Sequence, residues 1–130
     1  MLKTAIVIGF ASIYLSAPCS AQSRSLTDGE KKLISNTYGA KLKDPVSAQY
    51  RWAALPLADN LKQGLTATCF QVNAKNSYGG FAGFKTIMGT LKRVNGKIVE
   101  FDYYLGSLDD TPGLIRTTAD LCKTFGIQFD

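Results

Sequence analysis

Val94-Asn-Gly-Lys-Ile-Val-Glu-Phe-Asp-Tyr-Tyr-Leu105 is the stretch on which the fold turns. Asn-Gly tolerates the positive φ angles of a two-residue turn, so the β-forming residues on either side are expected to fold back on one another. Downstream, Lys97 to Leu105 reads as the last strand of a sheet. Upstream, Phe81 to Met88 reads as a strand, with Gly83 and Gly89 where it bends or bulges, and Asn76-Ser-Tyr-Gly-Gly80 supplies turn chemistry before it. Thr66-Ala-Thr-Cys-Phe-Gln-Val-Asn73 is a further strand by composition. Its alternation sets Thr68, Phe70 and Val72 on one face and Ala67, Cys69 and Gln71 on the other. Ser47 to Leu55 reads as the first strand, closed by Pro56, and Leu57 to Leu65 as a loop. The result is an antiparallel meander of three or four strands.

Helices flank it. Thr27-Asp-Gly-Glu30 has capping-box spacing, which predicts a helix over 28–42 with Leu33, Ile34, Thr37, Tyr38 and Leu42 at helical intervals. Asp44-Pro45 ends it and is placed to open a short helical turn of its own. After the sheet, Thr111-Pro112 is expected to cap a second helix whose apolar stripe runs through Leu114, Ile115, Thr118, Leu121, Cys122 and Phe125, with Gly126 at the stop. That stripe must lie on the sheet, so Cys122 faces it. The fold class is α+β: N-terminal helix, meander, C-terminal helix.

The chain has 130 residues, 45% of them hydrophobic, which suits one domain with a buried core. Met1 to Leu15 combines a short cationic start with an apolar run too short to anchor in a bilayer, and Cys19 and Ala21 are small residues three and one before a cut. We therefore expect a signal peptide over 1–21 and a mature domain over 22–130, periplasmic or secreted. Lipidation of Cys19 is the alternative, disfavoured by Pro18 directly before it. Removing 1–21 leaves Cys69 and Cys122 of the three cysteines, an even pair in an oxidising compartment. A bridge between them stabilises by on the order of 3 to 4 kcal/mol in the chain-entropy model.

The sequence contains no histidine, which removes Ser-His-Asp and Cys-His catalysis and the commonest zinc ligand. There is also no Cys-X-X-Cys motif. No cofactor or metal is expected. Carboxylates remain: Glu100 and Asp102 share a strand face, and Asp109-Asp110 are adjacent before a helix. Either pair could do acid-base work or bind a hard cation, but an outward strand face needs polar residues and a helix N-terminus favours negative charge. The formal charge of +5 falls by one with Lys3. Its lysines and arginines are scattered, which speaks against nucleic acid and is compatible with weak association with an anionic membrane surface. The chain is taken as a monomer.

The candidate binding site is the hairpin tip: Asn73, Lys75, Asn76, Ser77, Tyr78, Gly79 and Gly80. Amide, ammonium, hydroxyl and phenol groups precede glycines that admit a ligand closely. The structural alternative has asparagines capping the turn, glycines supplying torsions and Tyr78 covering the core.

Asp44-Pro-X-Ser-Ala-Gln-Tyr-Arg51, followed by Cys69-X-X-Val-Asn-Ala-Lys-Asn-Ser-Tyr-Gly-Gly80-X-X-Gly83-Phe84, resembles a group of small exported proteins of proteobacteria, their phages and plasmids. No activity is attached to that group. The chain departs from its pattern at Phe70, where glycine is expected. The resemblance implies an accessory protein of the envelope, encoded by a mobile element. Combined with the tip, it gives a non-enzymatic binding module for a protein or envelope polymer. The rivals are a killing or exclusion protein and a small envelope hydrolase using carboxylates with Lys75 and Tyr78.

Overall fold

A computed structural model of the chain describes residues 22–57, 61–103 and 117–129. The expected signal peptide, Cys19, Asp109-Asp110 and Thr111-Pro112 lie outside the described residues. Helix α1 spans Asp28–Gly39 and begins as the sequence requires: the Thr27 side chain accepts from the Glu30 amide, and the Glu30 carboxylate accepts from the Thr27 amide. Glu30 is also gripped by both terminal nitrogens of Arg24, at 2.8 and 2.7 Å. This guanidinium is the main reason the Glu30 carboxyl titrates below its ordinary value, against the opposing effect of burial. Because the folded pKa is the lower one, the stabilisation is present above the unfolded pKa and lost as pH falls through the folded value. Glu30→Gln is accordingly expected to cost about 1 kcal/mol at neutral pH, with the gap in melting temperature to the parent closing below about pH 4. A gap that persists unchanged at acid pH would show that the carboxylate's charge is not what matters.

The helix ends at Gly39, three residues short of the predicted end, because the chain tightens into a turn: Lys41 and Leu42 donate to the Tyr38 and Gly39 carbonyls. Leu42 still packs against the core from that turn. Nor does Asp44-Pro45 open a helix. The Asp44 carboxylate accepts from the Ser47 amide at 3.3 Å and from its hydroxyl at 2.7 Å, which closes a free-standing bend.

The predicted first strand is two. β2 (Gln49–Trp52) joins the main sheet, the chain breaks at Ala53-Ala54, and β3 (Leu55–Pro56) pairs instead with β1 (Ser23–Arg24), which the sequence did not announce. β4 (Leu65–Asn73), β5 (Lys85–Val94) and β6 (Lys97–Tyr103) complete a four-stranded antiparallel sheet in the order β2-β4-β5-β6, the expected meander. β5 starts four residues later than predicted, and Asn95 and Gly96 take φ values of 50° and 76° at the hairpin turn. Gly89 is not a bulge. A Cβ there would sit 2.4 Å from the Asp102 carbonyl oxygen and 2.5 Å from the Phe101 ring, so glycine is needed for close approach. The irregularity lies at Lys92/Arg93. From it the Arg93 guanidinium reaches the Leu57 and Pro56 carbonyls at 2.6 and 3.2 Å, tying the main sheet to the small one.

Both faces of the sheet carry a buried cluster, and on the side away from α1 the cover leaves Lys92, Glu100 and Asp102 exposed. On one, α1 packs Ile34 and Tyr38 over Phe70, Val72, Ile87, Leu91 and Phe101. On the other, α2 (Thr118–Thr124) and the residues after it pack Cys122 and Ile127 over Ala67, Cys69 and Ala53. The two faces of β4 carry the residues the alternation assigned to them. Sulfurs of Cys69 and Cys122 are bonded, with Cα atoms 6.2 Å apart. α2 starts later than predicted: Thr117, in extended conformation, forms a capping box with Asp120, so a continuous helix from Thr111 is excluded. Gly126, at φ 75°, follows its end as expected.

Candidate functional site

At the end of the sheet where β4 finishes and β2 and β5 begin, two loops lie side by side. The first is the β4–β5 connection. Beyond Asn73 the hairpin continues as a narrow ribbon, with an isolated bridge between Lys75 and Phe81, the Ala82 amide donating to the Ala74 carbonyl and the Asn76 amide to the Gly80 carbonyl at 2.7 Å. Asn76 organises the tip: its side-chain oxygen accepts from the Tyr78 amide at 2.9 Å and the Gly80 amide at 3.1 Å. Asn73 does similar work at the base, accepting from the Gly83 amide and donating to Gln49 on β2. Gly79 and Gly83 adopt φ of 80° and 97°, values that side-chain-bearing residues rarely take.

The second loop is the bend at Asp44–Ser47, and it touches the first in two places. Lys43 donates to the Ser77 hydroxyl, and Lys75 pairs with Asp44 at 3.7 Å. Asp44 titrates below its usual value, chiefly through the Ser47 hydrogen bonds and then through Lys75. The two motifs quoted for the resemblance, well separated along the chain, are thus one surface.

The seven candidate residues therefore divide by position. Asn73 and Asn76 spend polar atoms inside the loop, Gly79 supplies a torsion and Gly80 an amide to Asn76. Lys75 and Ser77 link the two loops. Tyr78 does not cover the core: its residue surface is 96% exposed. The same two loops carry Val46, 95% exposed in the Asp44–Ser47 bend, and Phe81, 46% exposed, with the Lys75 ammonium 5.6 Å from the Phe81 ring centroid. Val46 was absent from the sequence reading. Its position inside a polar turn motif was the available signal, since an apolar residue between Asp44-Pro45 and Ser47 has nothing local to pack on.

Behind the bend, the last turn of α1 and the edge strand β2 enclose an open groove of about 780 Å³, lined by Asn36, Gly39, Pro45, Val46, Tyr50 and Trp52 among others. Tyr50 and Trp52 stack nearly parallel, 5.1 Å apart. Lys41 lies over the Tyr38 and Tyr103 rings, at 4.3 and 5.1 Å from their centroids. Its pKa is lowered by burial and then by Lys85, while burial pushes the Tyr38 phenol up to about 12.

The chain matches no family model, no curated protein and no solved structure.

The carboxylate pair Glu100 and Asp102 does share a face, at the opposite side of the sheet from α1, in a shallow depression with Thr90 and Lys92. Lys92 stands 3.9 Å from Glu100, and Asp102 accepts from the Tyr103 amide. Neither Lys75 nor Tyr78 lines that depression or the groove beside α1, so Glu100 and Asp102 stand apart from the tip, whereas Asp109-Asp110 lie outside the described residues. Among the described residues no group of three or more His, Cys, Asp or Glu could hold a metal ion, and no helix is long and apolar enough to cross a membrane.

Proposed function

We propose that this chain is an exported, non-enzymatic binding module of the bacterial envelope that docks through its paired loops. The disulfide is compatible with an oxidising compartment. What chiefly supports the reading is the placement of Tyr78: a large side chain held almost wholly in solvent by a turn whose backbone is fixed by Asn76 and by glycine torsions. A domain gains nothing in stability from such a side chain. The turn fixes in advance the backbone from which it projects, which lowers the entropic cost of engaging a partner. Lys43, Lys75, Ser77 and Val46 frame it.

The test is a photo-reactive phenylalanine analogue placed at Tyr78 or, as control, at Val99 on β6 at the other end of the sheet, in cells exporting the protein. Position 78 is expected to give discrete adducts with envelope components and position 99 none. Adducts from Val99 alone, or equally from both positions, would refute the reading.

A further inference from the structure

We propose that the partner of the paired loops is an anionic lipid bilayer, with Tyr78, Phe81 and Val46 entering the interfacial zone while Lys43 and Lys75 meet lipid phosphates. The inference rests on the docking reading above and names its partner.

Three observations on this surface point the same way. First, Val46 and Tyr78 are exposed at 95% and 96%, whereas the other exposed large apolar residues among those described, Phe81 included, are only about half exposed. The two side chains project from neighbouring loops; Val46 also borders the open groove beside α1, and Tyr78 does not. Protruding apolar side chains on separate tips have little to bury against the flat face of a folded protein, and a stable protein interface calls for roughly 1,200 Å² or more. A bilayer interface is a deformable medium that admits each one independently. Second, the chemistry matches the depth. Tyrosine presents an apolar ring and a polar tip, the character enriched at membrane–water interfaces, and lysine stems lie along apolar surface while their ammonium groups reach headgroups. Lys43 and Lys75 stand at the Ser77 and Asp44 junction between the loops, and Lys41 and Lys85 add positive charge behind them. Third, the net charge is basic, a formal +5 for the full sequence that falls by one without Lys3, so the long-range field draws the molecule toward a negative surface. Two lysines, two protruding apolar side chains and the half-exposed Phe81 make a reversible attachment, far short of a spanning anchor.

The same cations would also attract an acidic polymer in solution, which has no apolar interface to receive Tyr78. Purified protein is to be sedimented with vesicles of phosphatidylcholine, with and without phosphatidylglycerol, and separately passed over immobilised dextran sulfate. Binding to the phosphatidylglycerol vesicles at low salt is expected, with none to phosphatidylcholine alone. Lys43→Gln with Lys75→Gln should weaken it by roughly 25-fold, about fivefold for each lysine near the surface. Tyr78→Ala should weaken it by about tenfold while leaving dextran sulfate retention and the melting temperature unchanged. Since the Tyr78 ring is exposed, this variant keeps the test independent of folding. Absence of vesicle binding, or binding that Tyr78→Ala leaves intact, overturns the proposal, and retention on dextran sulfate alone assigns the site to a polymer. If photo-adducts at position 78 form with envelope protein or polysaccharide and not with lipid, the docking reading stands and the lipid inference falls. If position 78 gives no adducts, both fall.

Discussion

Replacing Cys69 and Cys122 together by alanine is expected to lower the unfolding free energy by about 4 kcal/mol. The bridge closes a loop with a sequence separation of 53, and the chain-entropy relation assigns about that value to a loop of this length. For a domain of roughly a hundred residues the melting temperature should drop by roughly 15–30 °C. The loss is unusually local in its structural effect. α2 has only seven residues, too few to persist as a helix in water without tertiary support, and the apolar cluster beneath it comprises Ala53, Ala67, the two half-cystines and Ile127, with Phe125 and Phe129 at its margin. Hydrogen exchange should therefore show 117–129 losing protection well before the α1 face does. Thermal melts with and without reductant measure the first expectation. A shift of only a degree or two would mean that the helix docks by packing alone.

Phe70→Ala is expected to cost about 3–5 kcal/mol, as for other buried phenylalanines truncated in a packed core. Phe70 is fully buried and is the ring around which the main core is arranged. Tyr38 meets it edge-on at 5.3 Å, Phe101 at 6.0 Å, and Trp52 and Tyr50 lean over it at 5.8 and 6.0 Å. Removing the ring opens a void that α1, β2 and β6 all border. Phe70→Leu keeps most of the volume and should cost clearly less, about 1.5 kcal/mol. Urea unfolding resolves the two, and an alanine variant within about 1 kcal/mol of the parent would show that the neighbouring rings collapse into the space. With native stabilities usually near 5–15 kcal/mol, joining this change to loss of the disulfide should leave no cooperative transition. Here position 70 is a core anchor, and the residue that must be glycine for close approach is Gly89, against the Phe101 ring.

Much of the candidate site was legible one residue at a time, but its character was not. Asn76 and Gly79 act as turn chemistry dictates, since both depend on backbone within a few residues. Tyr78 was expected either to bind or to cover the core, and only the direction of the tip decided that it projects into solvent. The meeting of Lys75 with Asp44 and of Lys43 with Ser77 depends on β2 lying beside β4, a pairing that brings together residues more than thirty positions apart. The exposed Val46 and the groove in front of Tyr50 and Trp52 arise from the same pairing.

What the residues determined unaided was local or periodic: the Thr27–Glu30 cap, the Asn95-Gly96 turn, the two faces of β4 and the inward side of Cys122, each set by hydrogen bonds or side-chain spacing within one element. Tertiary structure alone decided that α1 and α2 occupy opposite faces of the sheet, that Leu55–Pro56 leaves the main sheet for Ser23–Arg24, and that α2 waits until Thr117 to begin. Those choices are made by competition for buried surface among distant segments. A short-range pattern shows that a segment has a face to bury, and only the assembled layers show where it is buried.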